Sequence, residues 1–527
     1  MKKLILTILT IMPLILSAQS LSDIYNYSST RYQGTAKSIA MGNAIGAVGQ
    51  DLSAIEINPA GLALFRKPTF TFTTGLTTAL TTSSYKQNEE KDYSIRMPVN
   101  DIGYVWISDV TGGHLNSLNF SIGLNKKNNF SYSSYTKGLN PSTSLIDAYI
   151  NELDANGIHN SEDLAWFSPN NIYPLWDTYL LDFNTNNEYS SPIPMGNIFQ
   201  QRGVLSRGYT NELSFSMGAN VNDKVFVGAS IGIPFLYRSL LTEYQENDLD
   251  NNNNFQEWEQ RETLYTDGCG INAKIGVIVF PARWVRLGLS LTTPTSYYVD
   301  ESWKTSTYAD FKTNKYVYNS DISFYSYHIK TPMLINASTA FIFGNFGMIT
   351  ADYEYVNYRA IRVSSSDYDY SNLNGDISQR FKPTSNLRFG TEWRLKRMCF
   401  RGGYSIYGSP YGFSKNDLRT DTYSIGLGYT FGHVTIDAAY ALSNTSKTYD
   451  MYSAYTLYPA YCFDGSIDNT EIKETTNINQ LIVSIKIRLD EKAVRWEPGS
   501  NLLVICVILF DNILIDKDTA AVFANDD

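Results

Sequence analysis

The sequence is poor in cysteine and has no cluster of basic residues. Its four cysteines are far apart and show neither CxxC nor Cys/His spacing: Cys269, Cys399, Cys462 and Cys506. This spacing predicts no zinc site and no dense disulfide framework, although one pair remains able to form a bridge. The formal net charge is -10. Because a phosphate-binding surface needs clustered Lys and Arg, nucleic acid is excluded as a partner.

After the first residues, the sequence contains no hydrophobic run long enough to span a membrane. Lys2 and Lys3 precede an apolar stretch, Leu4–Leu16, and small residues follow it. The pattern predicts a signal peptide over residues 1–19, cleaved near Ala18 to Ser20. An uncleaved anchor is the alternative, but a membrane-spanning helix needs about 20 apolar residues. We therefore expect the mature chain outside the cytoplasm.

Catalytic and nucleotide-binding motifs are absent as well. The four histidines, His114, His159, His328 and His433, lie in unrelated segments without HExxH or triad-like context. No glycine motif of a nucleotide-binding strand–helix unit occurs. A membrane phospholipase or protease, which would need a histidine beside Ser or Asp at one rim, is the enzyme alternative. The sequence predicts a protein that is not an enzyme.

Aromatic residues, in contrast, are abundant: the chain has 39 Tyr and 26 Phe. Alternation with a period of two recurs along its whole length. In residues 422–431 one face carries Tyr423, Ile425, Leu427, Tyr429 and Phe431, and the other carries Ser424, Gly426, Gly428 and Thr430. A soluble β-sandwich alternates in the same way, but apolar faces that end in aromatic residues, behind an export signal, favour a transmembrane barrel.

Short and long connections alternate between these segments, as in outer-membrane barrels. The predicted fold is all-β, a transmembrane antiparallel barrel of about 14 strands with a small N-terminal plug in the lumen. The long polar loops are expected near residues 83–97, 136–203, 243–261, 300–315, 363–383, 409–417 and 446–475. The expected strands are 68–82, 98–109, 115–134, 204–220, 224–242, 262–280, 284–300, 316–343, 346–362, 384–395, 398–408, 418–431, 433–445 and 475–489.

Residues 20–67 differ from the rest because they are rich in Gly and Ala. They contain the stretch with Gly42, Gly46 and Gly49, and the sequence Asn58-Pro59-Ala60-Gly61-Leu62. Small residues allow close backbone packing, and Pro after Asn favours a turn. A segment too small to fold alone is expected to be buried inside the barrel. Residues 20–67 are therefore predicted to form a hatch, and residues 68–489 are predicted to form the barrel.

These two stretches, ahead of 14 strand-like segments, resemble the FadL/TodX-type outer-membrane transporters, which take up long-chain fatty acids and other hydrophobic compounds. The resemblance implies a hatch that plugs the barrel and a kink in the third strand that opens a lateral gap toward the bilayer. The matching strand is 115–134, where Gly123 is the one residue suited to a kink; an ordinary barrel glycine is the favoured interpretation. The chain departs from the family at its C-terminus. The last strand ends Ile487-Arg488-Leu489 without an aromatic residue, and an atypical tail, residues 490–527, follows it.

The loop 136–203 is predicted to be partly helical, because Leu145, Ile146, Tyr149, Ile150 and Leu153 follow helical spacing between a Ser144 cap and Gly157. Its aromatic and apolar residues suggest an outer capture surface for the ligand. A helical lid that packs on itself over the barrel mouth is the equal alternative. The capture candidates are Trp166, Phe167, Trp176, Tyr179 and Leu180. Inside the lumen, Arg286 and Arg388 are candidate partners for a ligand carboxylate.

One loop has the oxygen spacing of a calcium site, at Asp248, Asp250, Asn252, Asn254 and Glu259. A solvated Asn-rich hairpin is the favoured alternative, so no cofactor is predicted beyond this possible structural calcium. The sequence as a whole predicts a monomeric protein of the cell outer membrane, in contact with lipid, for passive uptake of hydrophobic compounds such as long-chain fatty acids. A receptor or binding barrel for haem or another surface ligand is the alternative.

Overall fold

The computed structural model describes residues 21–110, 113–184, 188–194, 196–250, 253–412, 418–452 and 470–489. The predicted signal peptide and the tail 490–527 lie outside these residues, as do Cys462 and Cys506. Cys269 and Cys399 are free thiols. Within the described part of the chain, no helix is both long and apolar enough to cross a membrane.

The main sheet closes on itself through neighbouring antiparallel strands. Strand 1 pairs with strand 14 from Thr69 opposite Arg488 to Tyr85 opposite Ile472. The result is a closed barrel of 14 strands, which confirms the predicted fold. Strands 1 to 14 are, in order, Thr69–Tyr85; Asn88–Arg96 with Val99–Asp109; Leu115–Asn129 with Tyr132–Asn140; Ile198–Val221; Val225–Asp248; Phe255–Ala282; Val285–Thr292 with Ser296–Phe311; Lys315–Asn319, Ser323–Lys330 and Leu334–Phe343; Gly347–Asn357 with Arg362–Ser364; Pro383–Leu395; Met398–Tyr407; Thr420–Phe431; Val434–Asp450; and Glu471–Arg488.

The two faces of each strand differ in polarity and exposure, as the alternation predicted. On strand 12, Tyr423, Ile425 and Leu427 are 59%, 65% and 52% exposed on the outer surface, whereas Ser424 between them is buried inside. The outer faces of the other strands carry the same type of side chain, such as Phe389 and Trp393 on strand 10. In these regular ladders the backbone groups pair between strands, which is the arrangement that a hydrocarbon environment requires.

Several predicted loops are strand extensions. Strands 5 and 6 run on to Asp248 and from Phe255, so the loop 243–261 shrinks to a short hairpin turn. Residues 83–97 form a hairpin, and strand 7 continues through 300–311. The ladder persists there although the apolar outer face ends, because the hydrogen bonds between strands do not depend on the polarity of the side chains. The predicted strand 316–343 is interrupted after Asn319 and after Lys330.

The helices lie in the N-terminal segment and in two loops between strands. The N-terminal segment, defined as Leu21–Phe65, holds α1 to α3 (Leu21–Ser28, Ala36–Ala40, Leu52–Ile57) and a 3-10 helix (Pro59–Leu64). The loop between strands 3 and 4 holds α4 to α6 (Leu145–Asn156, Ser161–Phe167, Tyr173–Asp177) and a small hairpin (Asp182–Phe183 with Tyr189–Ser190), and we call it the cap. Between strands 9 and 10 lies α7 (Ser371–Arg380), and a 3-10 turn (Tyr358–Ala360) interrupts strand 9.

Candidate functional site

The N-terminal segment occupies the lumen, and its Asn58-Pro59 motif is fixed at both ends. The Asn58 side-chain oxygen accepts from the backbone N–H of Ala60 (3.1 Å), which caps the 3-10 helix Pro59–Leu64. The Asn58 amide also donates to the carbonyl of Val277 on strand 6 (3.3 Å). All five motif residues, Asn58, Pro59, Ala60, Gly61 and Leu62, are buried. The motif therefore combines a local helix start with an attachment to the barrel wall.

Glycines allow this segment to lie directly against the wall. Gly42 and Gly49 have φ of +61° and +65°, a region that other residues avoid. The backbone N–H of Gly46 donates to Asp352 on strand 9 (3.0 Å). On the wall side, a side chain at Gly228 would lie 2.3 Å from the carbonyl carbon of Pro59. Because the N-terminal segment and the barrel wall both have small residues where they meet, their backbones come into direct contact.

Buried ion pairs tie the segment to the wall. Lys274 on strand 6 contacts both Glu56 of the segment and Glu212 of strand 4. Lys127 of strand 3 joins the same group, 2.9 Å from Glu212. Since each buried charge has an opposite neighbour, removing one partner leaves an uncompensated charge, which is costly.

The two arginines predicted to meet a ligand carboxylate are already bonded to protein groups. Arg286 donates to the carbonyl of Val48 (2.9 Å). Arg388 is fully buried, contacts Glu354 at 3.2 Å and donates to Asn336 at 2.7 Å. Both side chains therefore serve the packing of the N-terminal segment and the inner wall in this structure.

The barrel wall is interrupted in strand 3, but not at Gly123. Gly123 lies in a regular ladder opposite Gly103 and Ser214, which fits the favoured interpretation of an ordinary barrel glycine. The strand breaks between Asn129 and Tyr132. There the side chain of Phe130 turns inward to the ring of Tyr27, 5.9 Å away between centroids.

Near this break the backbone ladder between the neighbouring strands is missing. The ladder between strands 2 and 3 extends only up to the pair Asp101–Asn125. Beyond it, the second part of strand 3 pairs with strand 4 alone; within the described residues it has no ladder with Asn88–Arg96. Side chains bridge the two, including Lys137 to Glu90 at 3.0 Å. This side of the wall is thus held by side chains where other strands have backbone hydrogen bonds.

A small cavity of about 20 Å³, enough for one water molecule, lies beside the break. Its wall is mostly hydroxyl-bearing and joins strands 3 and 4 to interruptions in strands 7 and 8. It is lined by Tyr27, Ser28, Ser29, Thr30, Lys127, Thr210, Thr292, Thr293, Thr295, Tyr297, Thr331, Pro332 and Leu334.

The cap packs into the barrel mouth around a shared apolar core. Leu145, Ile146, Tyr149 and Leu153 of α4 are buried together with residues of strand 6 such as Trp258. The five capture candidates divide between surface and core: Trp166 and Tyr179 are 73% and 56% exposed, Phe167 and Trp176 are partly buried, and Leu180 is fully buried. Capture of a ligand by this surface stays a prediction.

One buried carboxylate, Glu246 on strand 5, holds the cap to the barrel. It accepts the indole N–H of Trp258 (2.9 Å) and the backbone N–H of Leu145 at the start of α4 (2.9 Å). A carboxylate at a helix N-terminus also meets the positive end of the helix dipole. Three further donors complete its shell: the Ser144 hydroxyl, the Gln200 amide and the Tyr244 hydroxyl. Sequence reasoning missed Glu246, because its partners meet only once the strand register is known.

Glu152, in the last turn of α4, has a carboxyl group with a raised pKa. Burial in the cap raises the pKa of Glu152 to about 8. The uncharged acid is therefore the form that the folded cap favours near neutral pH.

The candidate calcium loop is a hairpin turn between strands 5 and 6, and Asn252 lies outside the described residues. Asp250 accepts from the Asn197 amide (2.6 Å), and Asn254 donates to Thr313 (3.3 Å). Glu259 lies within strand 6 and pairs with Arg261 (3.2 Å), which corrects its predicted place in the loop. In the described part of the chain no group of His, Cys, Asp or Glu is arranged to hold a metal ion. Calcium binding stays an untested prediction.

No known family profile matches the chain, and a search of curated proteins finds no relative by sequence. Among solved structures, a FadL homologue of Pseudomonas aeruginosa is similar with a TM-score of 0.53 and 10% identity, over 88% of this chain and 99% of that one. The toluene transporter TodX of P. putida matches with a TM-score of 0.49 and 12% identity, over 88% and 100%. The toluene transporter TbuX of Ralstonia pickettii matches with a TM-score of 0.46 and 15% identity, over 86% and 98%.

At these identities the first likeness shows the fold alone. The chain therefore has a closed 14-stranded antiparallel barrel with the fold of the FadL homologue.

Proposed function

We propose that this protein resides in the cell outer membrane as a monomer and lets hydrophobic compounds, such as long-chain fatty acids, cross passively. The observation that carries the proposal is the interrupted wall at strand 3: its backbone ladder to strand 2 ends at the pair Asp101–Asn125, and the strand itself breaks between Asn129 and Tyr132. A filled lumen and a capped mouth disfavour a straight aqueous path, so an apolar ligand would leave sideways into lipid. The resemblance to FadL/TodX-type transporters implies the same route.

A lateral route can be tested by stapling the interrupted wall. The side chains of Asp92 and Ser133 bond to each other across the gap, so D92C with S133C, with the native cysteines replaced by serine, should form a disulfide there. We expect oxidised protein in liposomes to pass labelled oleate several-fold more slowly than the same protein after reduction.

The matched control is T422C with S443C, where the two hydroxyls lie 2.8 Å apart in the uninterrupted ladder of strands 12 and 13. This disulfide should leave oleate flux unchanged. If stapling the gap has no greater effect than stapling the control ladder, the lateral route is wrong. If wild-type protein adds no flux over empty liposomes, the transport function itself is wrong.

The haem-receptor alternative gains no support from the histidines. His114 lies near Asn222 at a turn, His159 contacts Tyr189 in the cap, and His328 contacts Tyr298. These positions are on different elements, so they form no pair for axial ligation.

A further inference from the structure

Two cations on the outer surface lie beside the break in strand 3: Lys126 on strand 3 and Arg207 on strand 4. Lys126 lies between Asn125 and Lys127, which are buried inside the barrel, and Arg207 follows Ser206, which is also buried inside. The alternation of the strands therefore directs both cations outward. Neither forms an ion pair with any residue that the structure describes.

The apolar outer face of strand 4 ends just before these cations. Phe215 on that face is 48% exposed. Farther toward the cap, Tyr209 lies opposite Tyr237, with 6.1 Å between the ring centroids. The Lys126 ammonium lies 5.4 Å from the centre of the Tyr209 ring, and Arg207 comes two residues beyond Tyr209. Aromatic residues at the end of an apolar outer face mark the headgroup level of a membrane barrel.

A third cation, Arg96, ends the Asn88–Arg96 part of strand 2, on the other side of the break. Its guanidinium donates to the carbonyl of the neighbouring Ile95 (3.0 Å) and has no carboxylate partner in the described part of the chain. Arg96 is near enough to Arg207 for the two like charges to repel each other. We call Arg96, Lys126 and Arg207 the basic rim. Since the described protein groups leave its charges unbalanced, the basic rim attracts an anion.

Another arginine of the outer surface shows the contrast. Arg261 of strand 6, which lies closer to the cap, is 2.8 Å from Glu243 and 3.2 Å from Glu259. The protein itself thus neutralises an exposed arginine there, whereas the basic rim at the end of the apolar face has only cations.

We propose that the basic rim binds the phosphate headgroup of an anionic two-tailed lipid, whose tails lie on the apolar outer face below Tyr209. This inference goes beyond the uptake of a ligand and rests only on the membrane location proposed above. Guanidinium and ammonium groups form charge-assisted hydrogen bonds with phosphate. The tails hold the headgroup at this level of the wall, which favours a lipid over free phosphate. The bound lipid lies across the outer side of the break.

The test is native mass spectrometry of the full chain, released from a neutral detergent that contains equal amounts of dioleoylphosphatidylglycerol and dioleoylphosphatidylcholine. The two lipids share their tails and their phosphate, but only the first has a net negative charge. The wild type should retain phosphatidylglycerol in preference. K126Q combined with R207Q should weaken phosphatidylglycerol binding by about tenfold or more and change phosphatidylcholine binding by less than about twofold.

The matched control is R261Q combined with K315Q. It removes the same total charge, but from cations that the protein already pairs, since Lys315 lies 2.7 Å from Asp310. This variant should retain phosphatidylglycerol as the wild type does. The circular dichroism of both variants should match that of the wild type, which shows that the barrel is intact.

Three results would overturn the inference: a wild type without preference for phosphatidylglycerol, retention of that lipid by K126Q with R207Q, or an equal loss in the control variant. If inorganic phosphate displaces the lipid and chloride of equal ionic strength does not, the rim binds free phosphate and the lipid is the wrong occupant. The uptake function is judged separately, by oleate flux in liposomes of pure dioleoylphosphatidylcholine, so the two failures are distinguishable.

Discussion

The carboxylate of Asp51, in the N-terminal segment, lies 3.1 Å from the ammonium of Lys486 on strand 14. The hydroxyl of Thr35 donates to the same carboxylate at 2.6 Å. Next to this pair, the backbone N–H of Ala36 donates to the hydroxyl of Ser484, also on strand 14 (2.7 Å). The segment is thus fastened to the strand that closes the barrel.

Removing the charge of Asp51 should loosen the N-terminal segment. The side chains of Asp51 and Lys486 are 1% and 14% exposed, so D51N leaves a largely buried ammonium without its carboxylate, at a cost of about 3 kcal/mol. We expect higher or more fluctuating single-channel conductance in planar bilayers. D223N is the control, since Asp223 and Arg66 are both more than half exposed and such pairs contribute about 0–1 kcal/mol. Equal traces for the two variants would show that the ion pair does not hold the segment.

The contact between Gly228 and Pro59 should tolerate no side chain. A methyl group at Gly228 would meet the backbone of Pro59, which cannot yield as a flexible side chain can. We expect G228A to lower the free energy of unfolding by about 1–3 kcal/mol, measured by urea denaturation in detergent. Gly375 in α7 has no atom within 4 Å of such a methyl, so G375A should be neutral or stabilising by up to about 1 kcal/mol. A G228A variant as stable as G375A would contradict the packing described.

Glu246 should govern closure of the cap. In E246Q one carboxylate oxygen becomes an amide that faces donors, so hydrogen bonds from Trp258, Ser144 or Gln200 are lost, at about 1.5–3 kcal/mol. We expect a red-shifted tryptophan emission and faster proteolysis between strands 3 and 4. Among the described residues, Glu257 accepts only from the Asn247 and Gln245 amides, at 2.7 and 3.3 Å, and E257Q is the control. Unchanged proteolysis in E246Q would exclude Glu246 as the attachment of the cap.

The cap should be less stable at high pH. Burial raises the pKa of Glu152 from 4.5 to about 8, so the folded cap binds this proton more tightly than an opened cap does. Stability is therefore highest below about pH 4.5 and declines as the pH rises toward 8. Hydrogen exchange of α4, corrected for intrinsic rates, should show this decline in the wild type.

In E152Q the decline should largely disappear, because the amide does not ionise. Glu162, which is exposed in α5, gives the control E162Q, and the decline should persist there. A wild-type slope that survives in E152Q would assign the pH dependence to another group.

The barrel was predictable from the sequence because its cause is local. Alternation such as Tyr423-Ser424-Ile425 records which face of a strand is apolar and points outward, and it predicted the number of strands. Where the outer face is no longer apolar this cause vanishes: the end of strand 5, up to Asp248, is polar on both faces and reads as a loop, although its hydrogen bonds continue.

The break in strand 3 left a faint trace in the sequence. Asn125 to Asn129 are five polar residues in a row, and Lys127 and Asn128 both turn inward, to Glu212 and to Asn26. Two successive inward residues cannot occur in a regular strand. The partners of Glu246 left no such trace, because they meet only through the register of distant strands.

The ladder of strands 1 and 14 carries an implication for assembly. It is the last seam of the cylinder, and Lys486 and Ser484 on one side of that seam are also the anchors of the N-terminal segment. The contacts of the segment with Lys486 and Ser484 can form only once strand 14 is in place. Closure of the wall and complete fastening of the segment are therefore coupled, and we expect the finished cylinder to be blocked as soon as it is complete.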